Sequence, residues 1–74
     1  MNLFGNSIYN EAVARGIDGE EAEFNYNRVI EIYNVPRFIA RRIALKEVSI
    51  PEGKLRKIGR LFGPIYNTEP EDKP

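Results

Sequence analysis

Eight cations stand within residues 37–60: Arg37, Arg41, Arg42 and Lys46, then Lys54, Arg56, Lys57 and Arg60. Only two acids, Glu47 and Glu52, share that stretch. The first four recur at helical spacing. Such a surface attracts phosphate, where neutralisation releases counterions, or an acidic protein face. The same pattern also serves as the solvated face of a small helical protein, and most aromatics able to stack on bases lie outside the block. The rest of the chain is acidic. Residues 1–36 hold two basic and six acidic side chains, and residues 61–74 hold one basic and three acidic, so a net charge of zero hides a sorted distribution.

Glu20, Glu21 and Glu23 form a dense acidic group. They stand where a helix starts, and the positive end of the helix dipole accounts for them without a metal or a reaction. The chain has no Cys and no His. Disulfides, ordinary zinc sites and the two commonest nucleophile and acid/base chemistries are therefore excluded. No enzymatic activity and no cofactor are expected. No apolar run approaches the ~20 residues of a membrane span, and the N-terminus does not read as a signal peptide. A soluble intracellular protein is expected.

A third feature is a phrase that occurs twice. "LFGNSIYN" stands at residues 3–10 and "LFGPIYN" at 61–67. Leu3 and Phe4 precede the first helix, outside any amphipathic pattern, as an interface anchor would. Core packing is the other reading. The second copy, Leu61-Phe62-Gly63 with Ile65-Tyr66, ends a helical stripe and is expected mostly to close the core.

The elements that must position these residues are helical. Ser7 can cap a helix over residues 8–15, and Gly16 is a natural stop. Asp18 and Glu21 have capping-box spacing before a helix over 19–33. Ala22, Tyr26, Val29, Ile30 and Tyr33 make its apolar stripe. Asn34 or Val35 closes the corner, and Pro36 fits the first turn of a third helix. That helix carries Ile39, Ile43 and Leu45 or Lys46 on one side and Arg37, Arg41 and Arg42 on the other. Ser49 and Glu52 again have capping-box spacing, with Pro51 in the first turn. Leu55, Ile58, Leu61 and Phe62 form the last apolar stripe. Gly53 and Gly59 each weaken this helix by roughly 1 kcal/mol relative to Ala, so it should be short and marginal. The polar, proline-rich "NTEPEDKP" has too little apolar surface to order and is expected to be a disordered tail over 67–74.

The expected fold is one small all-α domain over 1–66, of three or four short helices, with an N-terminal arm (1–7) and flexible ends. Residues 19–33, the corner and 36–46 also have the lengths of a DNA-binding helix–turn–helix. In that alternative Arg37 and Arg41 would open a recognition helix, although Phe38-Ile39 puts apolar bulk in its first turn.

"MNLFGNSIYNEAVARG" together with the basic "PRFIARRIALK" and the small size resembles the small phage-encoded transcription regulators that bind bacterial RNA polymerase. The resemblance implies a partner, RNA polymerase, engaged near the RNA exit on the N-terminal part of β′ and the β flap. It implies inhibition of σ-dependent initiation and suppression of termination by hindering hairpin formation in nascent RNA, in the host bacterial cytoplasm. Placed on this chain, Leu3, Phe4, Asn6, Ser7, Ile8 and Tyr9 would be the anchoring arm. Arg37, Arg41, Arg42, Lys54, Arg56, Lys57 and Arg60 would face RNA or an acidic polymerase surface. A small structural phage protein without a nucleic-acid role is a further alternative.

Overall fold

A computed structural model describes residues 7–67 of the chain. Among these residues there are four helices and no strands: α1 (Ser7–Ala14), α2 (Gly19–Tyr33), α3 (Arg37–Ala44) and α4 (Glu52–Tyr66). The expected all-α fold is what the structure shows. Leu3, Phe4 and Asn6, with the rest of the arm up to residue 6, and residues 68–74 of the expected tail, lie outside the described residues.

The α2 helix is the hub against which α1, α3 and α4 all pack. Its start is set by Asp18, whose carboxylate accepts from the N–H groups of Glu20 (2.9 Å) and Glu21 (3.2 Å). These are two of the donors that a helix start leaves without partners. Glu21 does not complete a reciprocal capping box; its carboxylate lies 3.6 Å from Lys46 Nζ. The helix ends at Asn34, which takes the left-handed conformation at φ 59°. Asn tolerates this region better than most residues, and the N–H groups of Asn34 and Val35 return to the carbonyls of Ile30 and Val29. Val35 and Pro36 are buried at the corner, and the Pro36 carbonyl accepts the first bonds of α3 from Ile39 and Ala40.

Two apolar clusters form the core. Ile8, Ala12, Ala22, Ala44 and Leu45 join α1 to α2 and the end of α3. Val29, Val35, Ala40 and Leu55 join α2 and its corner to α3 and α4. Tyr26 packs against both. Leu45 is the buried member of the pair offered for the end of α3. Lys46 turns outward with φ 61°, which ends the helix.

The α4 helix departs most from expectation. It is 15 residues long, as long as α2, not short and marginal. Pro51, not Ser49, is its N-cap residue, with no side-chain capping bond. Glu52 instead accepts from Arg56 Nη2 (2.7 Å) and from the Tyr33 hydroxyl (3.1 Å). The buried face of α4 is Leu55, Gly59 and Gly63. A Cβ on Gly59 would overlap the Tyr33 carbonyl, and one on Gly63 would overlap Asn34. The helix-weakening residue Gly59 is thus what lets α4 meet α2. Asn67 continues the same four-residue line. It was expected to begin the free tail, yet its side-chain amide donates to the Asn34 carbonyl (3.3 Å), Asn34 Oδ1 (3.1 Å) and the Val35 carbonyl (3.0 Å).

Candidate functional site

The two copies of the repeated phrase meet different fates, and not the expected ones. In the first, Ile8 is 6% exposed inside the α1–α2 cluster, so it is not an outward anchor. Its position on α1, four residues before Ala12, puts it on the buried face. Tyr9 is partly exposed and lays its ring against Gly19, where a Cβ would stand 2.8 Å from it. Ser7 opens α1. In the second copy, Leu61, Phe62, Ile65 and Tyr66 are 54%, 43%, 68% and 56% exposed. They do not close the core. Packing α4 on its glycines turns these four side chains outward.

They form a continuous surface with Phe38. Residues 61 and 65, and 62 and 66, are successive-turn neighbours on one helix. The Phe38 and Tyr66 rings meet edge to face at 5.3 Å, and Phe62 and Tyr66 lie 6.5 Å apart. The strip therefore crosses from the end of α4 to the first turn of α3. Its repeated aromatics were legible in the sequence, but its exposure was not, because the phase of α4 depends on which residues allow close approach.

The basic block divides into paired and unpaired members. Arg41 bonds Glu11 on α1 at 2.8 Å. Arg56 bonds Glu52 at 2.7 Å and lies 5.4 Å over the Tyr33 ring. Arg15, outside the block, bridges Glu11 (2.8 Å) and Glu47, tying α1 to the turn after α3. The side-chain bond from Arg15 holds the Glu47 carboxyl below its ordinary range, and the bond from Arg56 does the same for Glu52. Arg37, Arg42, Lys54, Lys57 and Arg60 are exposed and form no ion pair with another described residue. These five are the cations of the block without an ion pair among the described residues.

Two shallow grooves flank α4. One, of about 530 Å³, has Val29, Ile43, Val48, Ile50 and Leu55 as its apolar lining and Arg28 and Lys46 among its polar residues. The other, of about 420 Å³, includes Ile32, Tyr33, Gly59 and Pro64 with Arg56 and Arg60. Among the described residues, no group of acids could hold a metal ion, and no helix is long and apolar enough to cross a membrane. Comparison with protein-family models, with curated proteins and with solved structures finds no match.

Proposed function

We propose that the chain is a non-enzymatic phage transcription regulator that binds host bacterial RNA polymerase, inhibits σ-dependent initiation and suppresses termination. The polymerase, with its β′ N-terminal region and β flap, enters through the resemblance of residues 1–16 and 36–46 to such regulators. The observation that supports a binding role is the group of five exposed cations on α3 and α4 without ion-pair partners among the described residues. On this reading Lys54, Lys57 and Arg60, with Arg37 and Arg42, face nascent RNA or an acidic polymerase surface. Leu3, Phe4, Asn6, Ser7 and Tyr9 remain the candidate arm, and Ile8 is removed from it. The setting is the host bacterial cytoplasm.

A helix–turn–helix repressor is the weaker reading. A recognition helix presents its first turns to base edges. Here Phe38, in the first turn of α3, is engaged by Tyr66, and Arg41 is held by Glu11.

In transcription through an intrinsic terminator, the protein should raise readthrough by polymerase. Lys57→Glu with Arg60→Glu should preserve the fold, since unpaired surface charges add little stability, and should remove much of that readthrough. Undiminished readthrough by the double variant would mean that the cations are only a solvated face.

A further inference from the structure

We infer that the strip formed by Phe38, Leu61, Phe62, Ile65 and Tyr66 is a docking site for an acidic amphipathic helix of a protein partner. The inference goes beyond the polymerase reading and stands without it.

Large apolar side chains that adjoin one another on the surface mark contact sites, whereas single exposed ones need no explanation. Phe38, Phe62 and Tyr66 adjoin across two helices through their ring contacts, and Leu61 and Ile65 stand beside Phe62 and Tyr66 in the sequence of α4. Three are aromatic, the class that anchors interfaces.

Charge selects the occupant. Lys54 and Lys57 continue the line of Leu61 and Ile65 toward the start of α4, and Arg37 and Arg42 flank Phe38. The only acid on α3 or α4 is Glu52, already bonded to Arg56 and Tyr33. Among the described residues of α3 and α4, the strip thus has cations at both ends and no free anion. From Lys54 to Tyr66 the helix rises about 18 Å, the length of roughly three turns of a partner helix. A helix with an apolar stripe and acidic flanks matches that surface in length, hydrophobicity and sign.

The same features disfavour other occupants. A second copy placed symmetrically on the strip would set cations against cations. A helix lying on an anionic membrane carries cations along both flanks of its apolar face. Here one flank of the strip is occupied by the packing of Leu55, Gly59 and Gly63 against the body of the protein.

The test is selection from a displayed library of helical peptides. Each carries a fixed leucine and phenylalanine stripe, with Glu or Lys free at every other position. The expected result is enrichment of Glu-rich peptides that bind the whole protein with Kd below about 100 μM by fluorescence anisotropy. Ile65→Glu, and separately Lys54→Glu with Lys57→Glu, should each weaken binding at least ~10-fold. Phe24→Ser, at an equally exposed residue on α2, should leave it unchanged. Circular dichroism of the Ile65→Glu protein should match the wild type, because that side chain is mostly in solvent. Enrichment of Lys-rich peptides, failure to select any binder, or affinity indifferent to Ile65→Glu would overturn the proposal. So would sedimentation as a dimer that Ile65→Glu dissolves, or binding to phosphatidylserine vesicles that the same variant abolishes.

Discussion

Gly59 on α4 sits against the carbonyl of Tyr33 at the end of α2 with no room for a side chain between them. Gly63, one turn later, has the same relation to Asn34. This seam fixes the rotation of α4 about its axis. With Leu55, Gly59 and Gly63 facing inward, Leu61, Phe62, Ile65 and Tyr66 must face out. The exposed apolar surface is a direct consequence of two glycines.

Gly59→Ala should therefore destabilise the protein by about 1–3 kcal/mol or more, since the added methyl meets rigid backbone. A domain of this size loses roughly 4–8 °C in Tm per kcal/mol. Gly53, in the first turn of the same helix, has open space around it. Gly53→Ala should raise stability by about 0.5–1 kcal/mol. Thermal melts followed by circular dichroism separate the two, and equal effects would mean that the seam is not tight.

Ile8→Ala should cost about 2–5 kcal/mol, because its side chain fills the cluster between α1, α2 and Leu45. Urea denaturation reads this directly. A midpoint equal to that of the wild type would return Ile8 to the surface arm.

Asn67→Ala removes the donor shared by Asn34 and Val35. The loss should be about 0.5–1.5 kcal/mol, since Asn34 is exposed and only the bond to the Val35 carbonyl is partly buried. It should be local, so hydrogen exchange at the Ile65 and Tyr66 amides should accelerate more than exchange in the middle of α2. Uniform acceleration would indicate a global effect.

Acid should weaken the fold through Glu47 and Glu52. Both carboxyls have folded-state pKa values below the ordinary 4.5, chiefly through bonds from Arg15 and Arg56. A depressed carboxyl contributes stability above its unfolded value. That contribution is lost as pH falls from about 4.5 through the lowered folded value. Between pH 6 and pH 3 the urea midpoint of the wild type should drop, and Glu47→Gln should flatten the drop. A variant as acid-sensitive as the wild type would show that the Arg15 contact is not populated in solution.

The α2 helix was legible in full because its ends are marked by local chemistry: a capping carboxylate at Asp18, and a left-handed Asn34 before Val35-Pro36. Its stripe of Ala22, Tyr26, Val29, Ile30 and Tyr33 does contribute to both core clusters. The phase of α4 was not legible from apolar side chains alone. Of the stripe Leu55, Ile58, Leu61 and Phe62, Leu55 is buried and Ile58 packs against the core as expected, while Leu61 and Phe62 face out because the line of closest approach is Leu55, Gly59, Gly63 and Asn67, at intervals of four. Glycine carries no hydrophobic signal, so a pattern of apolar residues misses a face built for backbone contact. Ile8 was misplaced for a different reason: its spacing of four from Ala12 marks the buried side of α1, but its place in the repeated apolar-aromatic phrase pointed to an outward arm. The cations were legible as a block, but their pairing was not, because Glu11 reaches Arg41 across 30 positions of sequence.

The central claim is polymerase binding, and its most direct test needs no DNA. Fluorescently labelled protein is titrated with core RNA polymerase purified from a panel of bacteria. The account predicts saturable binding with Kd below about 1 μM for at least one enzyme, which is roughly 8 kcal/mol of association free energy. Absence of binding to every enzyme at ~10 μM, above the predicted Kd, would contradict it.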